Sequence, residues 1–104
     1  MKKPYVKRYG EFLHFSVWFV DGMYIRNHLN VAFTNLGQHY RYRFIPKNEF
    51  WIDKETHPQE LKYHLDRLLT QHYLMSKGKS YLEAEAKAEQ REKRERKKIA
   101  LLKK

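Results

Sequence analysis

The chain has 104 residues, which is enough for one small domain with a single modest core and leaves no room for a second domain. It contains no cysteine, which excludes disulfides and thiolate metal sites, and its formal net charge is +10. A surplus of this size attracts polyanions, of which nucleic acid is the commonest inside cells, although the charge could also serve solubility alone.

Hydropathy gives no sign of a membrane segment or of a secretion signal. The longest apolar run is far shorter than the ~20 residues that cross a bilayer. The N-terminal MKKPYVKRYG is followed by a short mixed segment, which does not match a signal peptide. We therefore expect a soluble, non-secreted protein that is cytoplasmic or lies within a virion particle.

Residues 1–10 form a basic segment that we expect to behave as an arm, ordered only where a partner holds it. Its cations are Lys2, Lys3, Lys7 and Arg8. A single α+β domain over residues 11–88 should follow, and a charged helical tail over residues 89–104 should end the chain.

The run EFLHFSVWFV at 11–20 predicts the first strand, because aromatic and β-branched residues alternate along it. One face would carry Phe15, Val17 and Phe19, and the other His14, Ser16, Trp18 and Val20. Asp21 and Gly22 then favour a tight turn. The segment at 23–30 stays open between a hairpin strand and a short helix.

The segment HYRYRFIP at 39–46 has the clearest two-residue period in the chain, and Pro46 would end it. Its aromatic residues alternate with Arg41 and Arg43, a mixture that resembles surfaces on which single-stranded bases stack. The reading that we favour puts the tyrosines on a core face and the arginines in solvent. With a further short strand in FWID at 50–53, the sequence predicts a small antiparallel sheet of three to four strands.

Two capping boxes predict two helices after the sheet, which makes the fold class α+β. Thr56-x-x-Gln59 would begin the first helix, and Ser80-x-x-Glu83 the second, with Gly78 between them as a terminator. The first helix should lie on the sheet through Leu61, Leu65, Leu68, Leu69 and Met75. The second should pack on the first through Tyr81, Leu82, Ala84, Ala86 and Ala88.

From residue 89 to 98 the second helix continues without a large apolar side chain. Pairs such as Glu89 with Lys93 would stabilise it by about 0.2–0.5 kcal/mol each, which does not hold a helix on a core. We therefore expect this tail to project into solvent or to lie on a partner, with an apolar tip at Ile99, Leu101 and Leu102. Its glutamates would face the same phosphates as its cations, which favours a protein partner or a mixed protein and nucleic-acid surface.

The stretch HLDRLLTQHY at 64–73 raises the question of a metal site. His64 and His72 are eight residues apart, so their Cα atoms are roughly 12 Å apart on a straight helix and cannot share an ion. The alternative that stays open is a small metal-dependent hydrolase with non-standard ligands. Its ligands would be Glu60, His64, His72 and Glu85.

Three segments of the chain resemble parts of a group of small, largely uncharacterised prokaryotic and phage proteins. The segments are VDGMYIRNHLN, FTNLGQHYRYRFIPKNEFWID and LMSKGKSYLEAEAKA. The group has a strand-rich front followed by two helices, with a metallopeptidase-type HExxE on the first helix and an Ala-His on the second.

Matched through Leu74-Met75, the HExxE positions fall on Arg67, Leu68 and Gln71, and the Ala-His falls on Ala84-Glu85. Arginine cannot be deprotonated to coordinate a metal, and leucine has no donor atom. The resemblance therefore implies a degenerate metallopeptidase-like fold that has kept the scaffold and lost the metal site.

These patterns favour a non-catalytic binding or assembly protein over an enzyme. The chain has no Gly-rich phosphate loop, nucleophile elbow or Cys–His pair. We expect it to dock without a cofactor on a large anionic or mixed protein–nucleic-acid particle, as a structural or accessory component of a virion or ribonucleoprotein. The candidate docking residues are Lys2, Lys3, Lys7, Arg8, Arg41, Arg43, Arg91, Arg94, Arg96, Lys97 and Lys98.

Overall fold

The computed structural model describes residues 4–102 and gives an α+β fold, as the sequence predicts. Four strands form one sheet in the order β1-β2-β4-β3. The strands are β1 Tyr5–Phe12, β2 Phe15–Val20, β3 Leu36–Gln38 and β4 Glu49–Asp53. The helices are α1 Gly22–His28, α2 Leu61–Ser76 and α3 Tyr81–Leu102, and a short 3-10 turn at Pro58–Glu60 precedes α2.

The sheet is mixed, so the prediction of an antiparallel sheet is wrong for one pair of strands. β2 pairs with β4 in parallel, with Val17 opposite Phe50 and Phe19 opposite Ile52, whereas the other two pairs are antiparallel. Between β2 and β4 the chain passes through α1 and β3, and a connection of this length can return a strand in the same direction.

The run at 11–20 is two strands rather than one, because Leu13 and His14 form a tight turn in which Leu13 has φ +55°. The predicted basic arm is wrong for residues 5–10, because these residues belong to β1, which forms one edge of the sheet. Lys2 and Lys3 lie outside the described residues. The start of β1 is fixed by Tyr5, whose hydroxyl donates to Glu49 Oε1 at 2.7 Å.

Each face of the sheet carries an apolar cluster, and the predicted alternation of β2 is confirmed. On one face, α2 covers a cluster made by Phe15, Val17, Phe50, Ile52, Leu65 and Leu68. On the other face, α1 and the irregular segments complete a cluster made by Val20, Ile25, Phe33, Tyr42, Ile45 and Trp51.

Residues 39–46 form turns, so the predicted strand there is wrong. The main-chain carbonyl of Gln38 accepts hydrogen bonds from the N–H groups of Arg41 and Tyr42, at 3.2 and 3.0 Å. These local bonds replace ladder pairing, and the buried residues become Tyr42 and Ile45, three positions apart. Segment 23–30, which the sequence left open, is helical over α1, and the Asp21 side chain accepts from the N–H of Tyr24 at 3.0 Å.

The two predicted capping boxes have opposite outcomes. The first box is wrong, because His57 and not Thr56 caps the 3-10 turn, and α2 begins only at Leu61. The second box is confirmed, because the Ser80 hydroxyl accepts from the Glu83 N–H and the Glu83 carboxylate accepts from the Ser80 N–H, both at 3.1 Å. Gly78, at φ +97°, lies in the left-handed region just after α2 and ends it as predicted.

α3 lies along α2 instead of projecting into solvent after residue 88. Ala84 and Ala88 are buried at the contact, whereas Leu82 and Ala86, which were expected there, are exposed. Beyond Ala88 the contact is ionic, and it includes an ion pair between Arg91 and Asp66 at 3.0 Å. Small residues and charged pairs therefore replace the apolar stripe that the sequence lacks.

Ala88→Leu should destabilise the protein by about 1–3 kcal/mol, because the larger side chain has no space between α2 and α3. Urea unfolding monitored by circular dichroism measures the change. Ala86→Leu is the matched control, since it makes the same substitution on the exposed side of the same helix. Equal stability of the two variants would contradict the close packing of α3 on α2.

Candidate functional site

A polar cleft of about 390 Å³ lies between α2, α3 and the loops on either side of β3. At its centre, Arg67 of α2 donates to Glu85 Oε1 at 2.5 Å and to Glu92 Oε1 at 2.8 Å. The Tyr81 hydroxyl donates to the second oxygen of Glu85 at 3.0 Å, and the guanidinium of Arg41 lies 4.2 Å from the centre of the Tyr81 ring. One cation from α2 thus holds two carboxylates from α3.

The buried side chain of Gln71 extends this network towards the sheet. Its Nε2 lies 3.4 Å from Glu85 Oε1, and its Oε1 lies 3.4 Å from Nε2 of the equally buried Gln38 at the end of β3. Both bonds are long, and they supply the partners of the buried Gln71 amide, whereas Gln38 also contacts Met75 Sδ at 3.5 Å and accepts from the N–H of Tyr40 at 2.8 Å. The network therefore links β3, α2 and α3.

Burial and pairing fix the charge states in the cleft. Burial alone would raise the pKa of Glu92, but hydrogen bonds from Arg67 and Arg96 lower it below its ordinary value. Burial, together with the charge of Glu85, raises the pKa of Tyr81 to about 12. Burial lowers the pKa of His64, which lines the same cleft. At pH 7 the glutamate is ionised, and the tyrosine and the histidine are neutral.

The positions that the resemblance assigns to metal ligands converge in this cleft. The side chains of Arg67 and Gln71 both bond to Glu85, whereas Leu68 is buried in the core under α2 and Ala84 is buried between the helices. Both oxygens of Glu85 are engaged, and the positive charge beside it is a guanidinium. The relationship to that group of proteins stays a proposal.

The alternative metal ligands are not brought together. Glu60 pairs with Arg96 at 2.5 Å, and Glu85 pairs with Arg67. His72 packs between the rings of Phe15 and Tyr40, with centroids 4.8 and 4.9 Å away. Among residues 4–102, no group of three or more His, Asp or Glu side chains is placed to hold a metal ion.

His72 instead forms an aromatic contact that the sequence did not predict. Its Nε2 is buried and has no hydrogen-bond partner among residues 4–102. Burial lowers the pKa of His72, and the charges of the nearby His14 and His39 lower it further. A hydrogen bond to the main chain of Lys47 acts in the opposite direction and raises it. The neutral ring therefore belongs to the native packing.

Replacing His72 by Phe should reduce the loss of stability on acidification. A histidine with a lowered native pKa contributes stability above its unfolded pKa of about 6.5, and that contribution is lost as the pH falls towards the native pKa. Melting temperatures at several pH values between 7.5 and 5.5 measure the effect. His28→Phe, on the exposed end of α1, is the control for removing a histidine outside the core. An unchanged pH dependence in His72→Phe would contradict the assignment.

The cations of α3 divide into two sets by helical position. Arg91 and Arg96, both predicted docking residues, pair with Asp66 and Glu60 of the segment below them. A second set lies on the outer side of the helix, with Lys98 at its edge because it follows Arg91 by seven residues, and we call this set, together with Gln90, the basic face of α3. Its exposed cations are Lys87, Lys93, Arg94, Lys97 and Lys98. Lys87 and Lys93 were not among the predicted docking residues.

The glutamates of α3 lie mostly away from the basic face. Glu85 and Glu92 point to Arg67, and Glu83 caps the start of the helix. Glu89 and Glu95 flank the basic face and pair with Lys93 at 3.4 Å and with Lys98 at 3.8 Å. The two signs of charge are thus separated by their positions around the helix. The composition of the tail alone does not show this separation.

The remaining predicted docking residues lie on other elements. Lys7 and Arg8 are exposed on the edge strand β1, where Arg8 pairs with Glu11 at 3.7 Å. Arg41 reaches the start of α3 through its contact with Tyr81, and Arg43 lies over Tyr40 at 5.8 Å.

A groove of about 730 Å³ runs between β1, the start of α2 and the end of α3. It is lined by Tyr9, Leu61, Tyr63, Arg96 and Ile99, among others. Ile99 of the predicted apolar tip therefore faces the domain, whereas Leu101 and Leu102 are exposed. No helix within residues 4–102 is both long and apolar enough to cross a membrane.

Comparisons of the chain with protein-family models, with curated proteins and with solved structures find no match. We therefore infer the function from the geometry of this chain.

Arg67→Met should lower the free energy of unfolding by about 2–4 kcal/mol, because it removes the cation that Glu85 and Glu92 share and leaves Glu92 only its pair with Arg96. Adding Glu85→Gln and Glu92→Gln to Arg67→Met should restore most of the loss, and urea unfolding measures both steps. Arg91→Met is the control, since it breaks a more exposed pair and should cost less than about 1 kcal/mol. Failure of the two glutamine substitutions to restore stability would contradict the electrostatic explanation.

Proposed function

We propose that the protein is a non-catalytic binding or assembly protein, which docks on a large anionic or mixed protein–nucleic-acid particle through the basic face of α3. The supporting observation is the separation of charge across this helix. Five cations lie on its outer side, whereas Glu85 and Glu92 are turned inward to Arg67.

The dimensions of the basic face suit a polyanion. Lys87 and Lys98 are eleven residues apart, so the face extends for about 16 Å along the helix axis. Lys93 and Lys98 have side chains that are 76% and 71% exposed, so their ammonium groups can leave weak intrahelical pairs for stronger anions. Within the described part of the chain, Lys87, Arg94 and Lys97 have no carboxylate partner.

The basic face is also held in place before any partner arrives. Arg67, Arg91 and Arg96 fasten α3 to α2 and to the turn before it, so the cations are presented on an ordered helix. A preformed surface loses less conformational entropy on binding than a tail that must fold on its partner. Arg41, next to the start of α3, adds a further cation near the same helix.

This arrangement favours a component of a particle, such as a virion or a ribonucleoprotein, over an enzyme. Arg67, Tyr81, Glu85 and Glu92 of the cleft are bonded to one another, which leaves these groups little capacity to act on a substrate. Docking through lysine and arginine releases counterions from a nucleic acid and depends steeply on salt. The proposal includes no cofactor.

Sedimentation of the tagged protein from its native source, at several salt concentrations and with or without nuclease, tests this function. Replacing Lys87, Arg94 and Lys97 by Gln should release the protein from its particle at about 0.15 M salt. The matched control replaces Lys47, Lys62 and Lys77 by Gln, which removes the same charge from exposed positions elsewhere and should leave docking nearly unchanged. Equal release of both variants, or recovery of the wild type as a free small species, would overturn the proposal.

A further inference from the structure

The midline of the basic face carries side chains that can do more than neutralise phosphate. Gln90 and Arg94 are four residues apart, so they lie on adjacent turns of the exposed side, and Ala86 lies one turn before Gln90. Lys93 lies on one flank of this line, and Lys87 and Lys98 lie on the other. A polar midline with lysines on both flanks is a different arrangement from a uniform patch of charge.

We propose that α3 binds in the major groove of B-form duplex DNA, with Gln90 and Arg94 on base edges and the flanking lysines on the phosphates of the two strands. This inference rests on the proposed function and specifies the anion that the basic face binds. Glutamine can bond in a bidentate manner to adenine and arginine to guanine, whereas lysine on a phosphate carries no sequence information.

The position of α3 in the fold permits this docking. The major groove is about 12 Å wide and admits one α-helix. α2 lies between α3 and the sheet, so α3 is the outermost layer and its outer side is exposed along a helix of 22 residues, or about 33 Å. A-form RNA has a deep and narrow major groove that side chains cannot read, so this geometry favours DNA over double-stranded RNA.

The carboxylates at the borders of the basic face give the proposal a distinctive consequence. Glu89 and Glu95 lie next to the lysines that would contact phosphate, at 3.4 and 3.8 Å from Lys93 and Lys98. They oppose the approach of the DNA backbone, and they also draw the lysines away from it. Removing the charge of Glu89 should therefore tighten binding, an effect that damage to the fold would not produce.

The test begins with selection of bound sequences from a random duplex DNA pool by the full-length protein. Affinities for the selected duplex, a shuffled duplex, a single strand and the matching RNA duplex are then measured by fluorescence anisotropy. Gln90→Ala and Arg94→Ala should each reduce the preference for the selected over the shuffled duplex by about 10- to 100-fold. Lys93→Gln should weaken both duplexes alike and reduce the salt slope by about 0.9. Glu89→Gln should tighten the binding of both the selected and the shuffled duplex.

Other results would overturn the inference and separate it from the proposed function. No enriched sequence, or equal affinity for duplex DNA, single strand and RNA duplex, would exclude major-groove reading while leaving docking on a polyanion intact. Binding to the particle but to none of these nucleic acids would exclude DNA and point to an acidic protein surface. A protein that binds neither the particle nor any of these nucleic acids would contradict both proposals. Circular dichroism of each variant verifies that α3 is still folded.

Discussion

The orientation of α3 depends on Arg67, which binds Glu85 and Glu92 at the same time. These two glutamates are seven residues apart, so they lie two turns apart on one side of the helix and can converge on one guanidinium. The helix has no large apolar side chain between residues 89 and 98 to set its rotation. Because both carboxylates are fixed inward, Ala84 and Ala88 meet α2 and the lysines face outward.

The ion pairs on the inner and outer sides of α3 differ in solvent exposure, and this difference separates their roles. The side chain of Arg67 is 21% exposed and has two carboxylate partners, so dissolved salt or an approaching polyanion competes poorly for it. The pairs on the outer side are more exposed and each has one partner, so they are weaker and exchangeable. The inner charges can therefore maintain the fold while the outer charges bind a partner.

The features that the sequence predicts well are local. The two faces of β2, the Gly78 terminator and the Ser80 capping box each depend on residues a few positions apart. The parallel pairing of β2 with β4 and the docking of α3 depend on distant segments, which periodicity does not report. At 39–46 a clear two-residue period gives way to turns, because Gln38 bonds the following N–H groups. Composition alone could not separate Arg91 and Arg96, which hold α3 in place, from Lys87 and Lys93, which are exposed and were not among the predicted docking residues.

Solubility alone explains a basic composition but not its distribution on α3. A solubilising surface works with both signs interspersed, and the tail of this chain contains enough glutamate to supply them. Instead, Glu85 and Glu92 lie inside, Glu83 caps the helix, and Glu89 and Glu95 lie at the borders of the basic face, whose cations share one exposed side. These cations have no role in holding α3 to α2, since Arg67, Arg91 and Arg96 supply that contact. An ordered row of cations that does not hold α3 to α2 supports the proposed docking on a partner that carries negative charge along a comparable length.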